Sequence, residues 1–385
     1  MTTLYLIRHA EAEGNLYRRI QGWYNSLITD HGFLQIEALA RRFRDIPVDA
    51  VYSSDLYRTM TTARAVTLPK GLELHTDPDL REIHMGDWEN WTWGEAARRV
   101  PQELDRFLTN DPSWQAPNGD SFGGLGLRVE RALHRIAAAH PGQTVAVFSH
   151  GTAIRQAVSN IKGVAPADWA RQGHSANTAV TCLTYEDGTF TVKYEMDRSH
   201  LDELEPAPAG QSQKWFGNSS RLLDTSLWFR PADWPRERDF YLAARRNAWT
   251  GTHGTGIPFD GAGFLRAAEE HLSRTPWGVT VAMAGAEPAG ILQLDPERCR
   301  GDNAGYIPFC YIVPQRRAQN LGVQLIGQAV SFYRPLGRDK LRLRCAPYND
   351  HARYFYGKYG FCKIGEEQGS RVPLDILEKY IGYER

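Results

Sequence analysis

The sequence predicts two mixed domains in one chain: a three-layer α/β domain in the N-terminal half and an α+β domain in the C-terminal half. The length of 385 residues exceeds that of one ordinary domain and suits two. Over the first half, short apolar runs alternate with amphipathic helical patterns, whereas beyond residue 225 helices come first and alternating strands follow. With 42% hydrophobic residues, both halves have enough apolar side chains for a core.

Short apolar runs in the N-terminal half predict buried strands. Leu4–Ile7 and Val145–Phe148 are continuous apolar runs, which are typical of parallel strands covered on both faces. Helical patterns lie between these runs, so the strands are expected to be joined through helices. The stretch 179–194, with a turn at Asp187-Gly188, predicts a hairpin that closes a largely parallel sheet.

Residues 205–224 predict a linker between the two halves. The run Glu205–Gly210 combines proline and glycine and has no hydrophobic period. We therefore place the N-terminal domain at residues 1–204 and the C-terminal domain at residues 225–385. In the C-terminal domain, two helices are expected before a mostly antiparallel sheet, whose first two strands flank a turn at 285–288.

Charge and cysteine content exclude several classes of protein. Lys and Arg total 45 and Asp and Glu total 45, so no bulk attraction to nucleic acid or to an anionic membrane is expected. The five cysteines form no C-x-x-C pair, which argues against a disulfide framework and against a zinc site. Because no signal peptide or long apolar stretch is present, we expect a cytoplasmic protein. The oligomeric state stays open.

Histidines and arginines follow three of the predicted strands. Arg8-His9 comes directly after the first strand, His150-Gly151 after a later one, and Arg58 shortly after the strand that contains Val51. Ligands of such sheets bind at the carboxyl ends of the strands. Guanidinium groups match phosphate oxygens, and a neutral imidazole is able to attack phosphorus. With Glu82 as a carboxylic proton donor, this set predicts phosphoryl transfer.

The same residues lie in four sequence blocks: Leu6-Ile7-Arg8-His9-Ala10-Glu11, Ser53-Ser54-Asp55-Leu56-Tyr57-Arg58, Leu80-Arg81-Glu82 with Gly86-Asp87-Trp88-Glu89, and Ser149-His150-Gly151. In this order the blocks resemble the histidine phosphatase superfamily, in its phosphoglycerate-mutase-like branch. The resemblance implies that His9 is the phosphorylated nucleophile and Glu82 the proton donor. It also implies that Arg8, Arg58 and His150 hold the phosphoryl group. Asn15 and Gly151 complete the implied substrate-binding set, and no metal is implied.

Two of these assignments keep alternatives. Glu13 and Glu89 also lie in matching blocks, so each competes with Glu82 for the role of proton donor. Asn15 has the alternative role of capping a turn. Asn90 stands where the family often has glycine, which concerns the substrate rim more than the chemistry.

Residues 95–125, which we name the cover segment, are expected to lie over the crevice. Trp88, Trp91, Trp93 and Trp114 crowd this region. They form either an aromatic rim for the leaving group or the core of the cover segment, and the core is the favoured interpretation. Because the segment is short compared with that of mutases, the resemblance favours a phosphatase.

A second candidate site lies in the C-terminal half. The loop Pro314–Gly322 follows a predicted strand and leads into a helix. Backbone N–H groups at such a helix start bind anions, above all pyrophosphate. Downstream come Asn349-Asp350-His351-Ala352, Tyr356 and Tyr359-Gly360-Phe361. Together with Arg317-x-x-Asn320-x-Gly322, these residues resemble the GNAT superfamily of acyl-CoA-dependent N-acyltransferases.

The GNAT resemblance implies acetyl-CoA as cofactor and an amine as acyl acceptor. It implies that Asn349 contacts the pantetheine arm and that Tyr356 protonates the leaving thiolate. The implied pyrophosphate site comprises Val313, Arg317, Ala318, Gln319, Asn320 and Gly322. Asn320 replaces a family glycine, so either its side chain crowds the phosphate or the residue adopts the left-handed conformation that asparagine tolerates. The strand 306–313 carries no carboxylate, so the general base is unassigned.

The sequence therefore predicts a bifunctional enzyme that hydrolyses a small-molecule phosphomonoester and acetylates an amine. Two alternatives stay open. In the first, a GNAT-like module binds acyl-CoA without transferring it and regulates the phosphatase. In the second, the N-terminal domain is a phosphotransferase of the phosphoglycerate-mutase type.

Overall fold

The computed structural model describes residues 1–204, 219–369 and 372–383. The chain forms two compact units, Met1–Trp91 with Arg99–Leu222 and Thr92–Arg98 with Leu223–Arg385. Of the predicted linker at 205–224, residues 205–218 lie outside the described residues. The remaining residues, from 219 onward, belong to a helix, Ser219–Thr225.

The described residues 1–204 form six β-strands and seven α-helices. The strands are β1 (Thr2–Arg8), β2 (Ala50–Ser53), β3 (Leu74–Thr76), β4 (Thr144–Ser149), β5 (Val180–Glu186) and β6 (Thr189–Asp197). The helices are α1 (Glu13–Tyr17), α2 (Asp30–Phe43), α3 (Tyr57–Lys70), α4 (Trp93–Arg99), α5 (Pro101–Leu108), α6 (Phe122–Ala139) and α7 (Gly151–Ile161).

The first sheet has the strand order β3-β2-β4-β1-β5-β6. Its first four strands are parallel, and Leu4 of β1 pairs with Val145 of β4. β5 runs antiparallel to β1 and continues into β6 through Asp187 and Gly188, which both have positive φ, as a tight hairpin turn requires. The largely parallel sheet and its closing hairpin are confirmed.

Helices cover both faces of this sheet. On one face, α2 and α3 contribute Leu39, Phe43 and Val66 to an apolar cluster that contains Ile7 and Phe148 of the sheet. The strand residues that alternate with these are also buried, and α6 and α7 pack against β1. This three-layer α/β arrangement confirms the predicted fold class and brings the loops after β1, β2 and β4 to one edge of the sheet.

The described residues from 219 to 383 form seven strands and five helices. The strands are β7 (Trp228–Pro231), β8 (Val279–Ala284), β9 (Glu287–Asp295), β10 (Ala304–Ile312), β11 (Lys340–Cys345), β12 (Cys362–Gln368) and β13 (Pro373–Tyr380). The helices are α8 (Ser219–Thr225), α9 (Trp234–His253), α10 (Gly261–Arg274), α11 (Gly322–Tyr333) and α12 (Asp350–Lys358).

The second sheet has the strand order β12-β13-β11-β10-β9-β8-β7. Only β10 and β11 are parallel among these described strands, so the mostly antiparallel α+β domain is confirmed. The sequence analysis missed β7, β12 and β13. β12 reads Cys-Lys-Ile-Gly-Glu-Glu-Gln and lies at the sheet edge, where exposed charged residues mask the apolar alternation that marks a strand.

The parallel pairing of β10 with β11 is short. In the described strands it runs from Ala304 with Lys340 to Ile307 with Leu343, whereas β10 stays paired with β9 as far as Ile312. From Pro308 onward, β10 therefore has a free edge on the side of β11. Among the described residues, no helix has the length and apolarity needed to span a bilayer.

Candidate active sites

The first site begins where β1 ends. His9 follows Arg8 directly and is only 3% exposed. Its Nδ1–H donates to the carbonyl oxygen of Ala10 at 2.8 Å, which leaves the Nε2 lone pair available as a nucleophile. Burial, followed by the nearby charges of Arg58 and Arg8, holds the pKa of His9 well below its usual value of 6.5. The imidazole is therefore neutral at physiological pH.

A second imidazole faces the first. His150 lies between β4 and α7, and its ring centroid is 5.3 Å from that of His9. Its Nε2 lies 3.0 Å from the hydroxyl oxygen of Ser54, which follows β2. Burial, then Arg58 and His9, hold the pKa of His150 well below 6.5 as well. Its buried Nδ1 has no hydrogen-bond partner within the described chain, so the ring retains bonding capacity for a ligand.

Arg58 is fully buried at the start of α3 and is held by a loop. Its guanidinium donates to the carbonyl oxygens of Gly22 at 2.8 Å and Tyr24 at 3.1 Å. The same loop is held from the other side by Glu89, whose carboxylate accepts the N–H groups of Gly22, Trp23 and Tyr24. Glu89 thus positions Arg58 through the loop between them.

Arg8 and Gly151 fit closely together. Arg8 donates to the carbonyl oxygen of Ser175, while its buried Nε has no partner within the described residues. A Cβ at position 151 would lie 3.2 Å from that Nε, so glycine leaves space for the guanidinium. Burial lowers the pKa of Arg8, and Glu82 opposes this effect. The arrangement leaves a buried N–H that has bonding capacity for an oxyanion.

Glu82 lies at the N-terminus of α7, next to His150. Its Oε1 accepts the N–H groups of Ile83 at 3.0 Å and Ala153 at 2.9 Å, and its Oε2 accepts that of Thr152 at 3.1 Å. Because Oε2 accepts only one of these bonds, it keeps a lone pair that is able to carry a proton. The start of α7 therefore fixes the carboxyl group close to His150, the residue that precedes this helix.

The competing acidic residues are engaged elsewhere. Glu89 holds the loop described above, and Oε2 of Glu13 accepts the N–H of Leu27 at 3.1 Å. Asn15 caps the short helix α1, because its Oδ1 accepts the N–H of Ala12 at 3.1 Å. Glu82 thus lies at the start of α7, directly after His150, and the Asn15 side chain makes the capping contact that the sequence left as its alternative.

The sequence analysis missed a third guanidinium near this site. Arg155 of α7 pairs through Nη1 with Nδ1 of His174 at 2.9 Å and donates through Nη2 to Oδ1 of Asn110 at 2.5 Å. Burial lowers the pKa of Arg155 to about 10, and burial with Arg155 lowers that of His174 to about 3. Arg155 stands four residues after Gly151, one helical turn along the same face, and this spacing is the signal that would have found it.

The tryptophans near the cover segment divide into two groups. Trp88 and Trp114 are almost fully buried. The ring centroid of Phe107 lies 6.4 Å from that of Trp88 and 4.8 Å from that of Trp114, and Trp114 also packs against Phe122. Trp91 and Trp93 are partly exposed. The first pair therefore belongs to a core, as the favoured interpretation held.

In the second unit, the loop before α11 has an unusual backbone. Ala318 and Asn320 have φ of 59° and 57°, so both adopt the left-handed conformation, and the loop is exposed from Arg317 to Asn320. The side chain of Arg317 turns back to the carbonyl oxygen of Ile312 and to Asn247, both at 3.0 Å. The loop thus presents backbone rather than guanidinium to a ligand.

The other predicted loop residues support this geometry. The N–H of Val313 donates to the carbonyl oxygen of Ala289 at 3.0 Å, and Gln319 donates to the carbonyl of Gln315 at 3.1 Å. A Cβ at Gly322 would lie 3.0 Å from the ring of Phe355, so glycine lets α11 begin close to α12. An exposed loop that ends at a helix N-terminus suits the diphosphate of acetyl-CoA.

Tyr356 and Asn349 both lie at α12. The Tyr356 hydroxyl bonds to the Cys310 thiol of β10, and burial raises the pKa of Tyr356 well above 10 and that of Cys310 to about 12. Both groups are therefore protonated at neutral pH. Asn349 caps α12 by accepting the N–H of Ala352 at 3.1 Å and donates to Thr252 at 3.1 Å. Tyr356 thus meets β10 where that strand has left β11.

Comparison with known proteins agrees with both units. The model of the histidine phosphatase superfamily (branch 1) matches residues 4–197, and that of the acetyltransferase (GNAT) family matches residues 226–361. The Yersinia pestis (strain Pestoides F) protein "Probable phosphoglycerate mutase GpmB" is 31% identical over 207 residues, which cover 52% of this chain and 96% of that protein.

The N-terminal half is also similar to a solved structure. Bacillus stearothermophilus YhfR is 32% identical, with a TM-score of 0.51, and the match covers 52% of this chain and 100% of that one. The chain belongs to the histidine phosphatase superfamily and carries a GNAT acetyltransferase domain in its C-terminal half.

Proposed function

We propose that the chain is a bifunctional enzyme, with a phosphomonoesterase at residues 1–204 and an acetyl-CoA-dependent N-acetyltransferase at residues 225–385. The observation that carries the first activity is the pair of neutral, buried imidazoles of His9 and His150 beside two arginines and Glu82. This set supplies a nucleophile, positive charge for the phosphoryl oxygens and a proton donor without need of a metal.

In the first step, Nε2 of His9 attacks phosphorus and the bond between phosphorus and the ester oxygen breaks. The leaving alkoxide takes the proton from Oε2 of Glu82, so the alcohol departs neutral. Arg8, Arg58 and His150 hold the phosphoryl oxygens during the transfer. The unpartnered N–H of Arg8 supports this role, because a phosphoryl oxygen would complete its bonding.

In the second step, water attacks the phosphohistidine. The Glu82 carboxylate accepts the proton of that water, the bond between phosphorus and Nε2 breaks, and inorganic phosphate leaves. The enzyme returns to neutral His9 and protonated Glu82. The same carboxyl group therefore acts as acid and then as base, which its fixed position at the start of α7 supports.

In the C-terminal domain, acetyl-CoA supplies an activated acyl thioester when bound. The backbone amides from Ala318 to Gly322 would hold its diphosphate, and the free edge of β10 would receive the pantetheine arm. The N–H of Arg317 already donates to the carbonyl oxygen of Pro314. The protonated hydroxyl of Tyr356 is placed to give its proton to the departing thiolate. The amine gives up its proton to solvent, since β10 carries no carboxylate.

The test of the first activity is phosphate release from para-nitrophenyl phosphate in the presence of EDTA. We expect turnover by the natural protein, no turnover by His9→Ala, and full turnover by His75→Ala, whose side chain is exposed on β3. Mass spectrometry after a rapid quench should find one phosphoryl group on His9. Turnover that survives His9→Ala rules out the phosphohistidine mechanism.

Two observations keep a mutase as the second candidate: the family branch and the name of the Yersinia pestis relative, "Probable phosphoglycerate mutase GpmB". A mutase moves phosphate between positions of a phosphoglycerate without net release of inorganic phosphate. Incubation with 3-phosphoglycerate therefore separates the two activities. Free phosphate supports the phosphatase, and isomerisation alone replaces it with the mutase.

The two domains suggest one class of substrate, an amine that also carries a phosphate ester. Such a compound suits both active sites, in either order. A substrate screen with separate readouts for phosphate and for free CoA thiol tests this idea, which fails if no compound is turned over by both domains. Acetyl-CoA binding without transfer to any amine would instead indicate a regulatory module.

A further inference from the structure

Arg245 of α9 carries a positive charge into the interior of the second unit. Its Nε donates to the Tyr241 hydroxyl at 2.9 Å, and its Nη2 donates to the side-chain oxygen of Gln293. The central carbon of the guanidinium lies 3.9 Å from the ring centroid of Phe309 and 4.7 Å from that of Phe264. Burial lowers the pKa of Arg245.

Among the described residues, no carboxylate pairs with Arg245. Its partners are a phenol, an amide oxygen, a backbone carbonyl and aromatic ring faces, all of which are neutral. A guanidinium removed from water without an anion is costly, because hydrogen bonds to neutral groups recover only part of the lost hydration. The charge is therefore one that an anionic ligand would stabilise.

A chain of hydrogen bonds holds the guanidinium in place. Nε2 of Gln293 donates to Nδ1 of His271 at 2.8 Å, and Nε2 of His271 lies 3.2 Å from the Asp295 carboxylate. Arg274 bonds to the same carboxylate at 2.7 Å. Because its nitrogen is bound to His271, Gln293 must turn its oxygen to Arg245. These hydrogen bonds orient Arg245, while the Asp295 carboxylate is paired with Arg274 and His271.

The guanidinium lies where β10 leaves β11. Its Nη1 is 3.5 Å from the carbonyl oxygen of Pro308, the first residue of β10 beyond the pairing with β11. Cys310, whose thiol bonds to Tyr356, follows two residues later on the same strand. A group bound by Arg245 is therefore close to the edge at which we place the acyl thioester.

We propose that Arg245 binds the anionic group of the acyl acceptor, so that the acceptor is an amine that also carries a carboxylate, phosphate or phosphonate. This inference rests on the acyl transfer proposed above. The amine nitrogen forms a bond to the acyl carbon and the carbon–sulfur bond breaks. The thiolate takes the proton of the Tyr356 hydroxyl, and the amine releases a proton to solvent. Solvent then returns a proton to Tyr356.

The test compares three small amines of matched length with acetyl-CoA: glycine, aminomethylphosphonate and glycinamide. We expect kcat/KM for at least one anionic amine to exceed that for glycinamide about 10-fold to 100-fold, the range of a hydrogen bond between charged groups. Arg245→Met should abolish this ratio, and Arg245→Lys should keep part of it. Arg246→Met is the matched control, because Arg246 is exposed and lies over Phe259.

A binding readout separates failure of this inference from failure of the acyl transfer. The thermal midpoint is measured with CoA and each amine, for the natural protein and for Arg245→Met. If no amine is acetylated, a rise with the anionic amines that Arg245→Met removes still supports the anion site. The anion site would be overturned by equal kcat/KM values for all three amines, or by a kcat/KM ratio that stays unchanged in Arg245→Met. It would also be overturned if no amine is acetylated and none shifts the thermal midpoint. The two anionic amines distinguish a carboxylate from a phosphonate site.

Discussion

The two candidate phosphate-binding regions present different donor groups. In the first unit, Arg8 and Arg58 are held by backbone carbonyls, and their guanidinium groups lie beside the two histidines. In the second unit, the Arg317 side chain turns back to the end of β10, so the exposed loop offers backbone N–H groups instead of a guanidinium group. On the proposed function this difference has a simple reason. A phosphoryl group that is transferred changes its charge distribution, whereas a diphosphate that is only held needs a fixed anchor.

The largest effect is expected at Arg58. Arg58→Met removes a buried charge from the phosphoryl site, so kcat/KM for para-nitrophenyl phosphate should fall by about 10²-fold to 10³-fold. Acetyl transfer in the other domain should not change. The control is Arg64→Met, an exposed position on the same helix. A similar loss in both variants would break the assignment of Arg58 to the site.

In the second unit the largest effect is expected from a neutral group. Tyr356→Phe removes the proton donor, so kcat for acetyl transfer should fall by about 10²-fold while acetyl-CoA affinity is kept. Tyr354→Phe, whose side chain is 73% exposed on the same helix, serves as control. If Tyr356→Phe keeps full activity, solvent protonates the thiolate and Tyr356 is a core residue.

A smaller effect is expected from Glu89, which acts on the phosphoryl site through Arg58. In Glu89→Gln an amide nitrogen faces the N–H groups of the loop, so the loop and Arg58 shift. We expect kcat/KM to fall by about 10-fold, together with weaker inhibition by vanadate. Glu37→Gln, at an exposed position of α2, should have no effect. Unchanged vanadate inhibition in Glu89→Gln would contradict the positioning role.

Buried histidines make the stability of the two units respond differently to pH. The folded state holds His174 neutral with its pKa lowered to about 3, whereas the unfolded chain binds a proton below about 6.5. The free energy of unfolding therefore falls as pH drops below 6.5, by about 2 kcal/mol at pH 5 for this group. In contrast, Asp295 opposes the effect of burial on His271 in the second unit.

The corresponding variant is His174→Gln, which does not titrate. We expect the loss of unfolding free energy between pH 7.5 and pH 5 to be about 1 to 2 kcal/mol smaller than in the natural protein. Urea unfolding followed by tryptophan fluorescence gives these values. His75→Gln at an exposed position should leave the loss unchanged. Equal losses in all three proteins would show that His174 titrates normally.

The smallest effect is expected at Arg317. Because its side chain bonds to Ile312 and Asn247, Arg317→Met should change the acetyl-CoA dissociation constant by less than about threefold. Ala318→Val places a β-branched residue at φ of 59° and should weaken binding about 10-fold by straining the loop. Titration calorimetry compares the two. A larger effect from Arg317→Met would place its guanidinium on the diphosphate.

Sequence reasoning worked best where the signal was local. The strands ending at Arg8 and Ser149 were marked by continuous apolar runs, and the left-handed conformation of Asn320 was one of the two outcomes expected at a replaced glycine. It was weaker where the signal was a contact. Glu89 was one of three acidic candidates until its bonds to the loop at 22–24, more than 60 residues away, showed that it is engaged there.

By itself the sequence determined the two domain classes, the strands and helices with a clear hydrophobic period, and the strand ends that carry the candidate catalytic groups, because these depend on patterns within a few neighbouring residues. Only the tertiary structure decided which groups meet. It joined Arg155 to His174 and Asn110, and it left Arg245 among neutral partners. Such contacts depend on how distant segments pack, and no local pattern of residues encodes the distance between them.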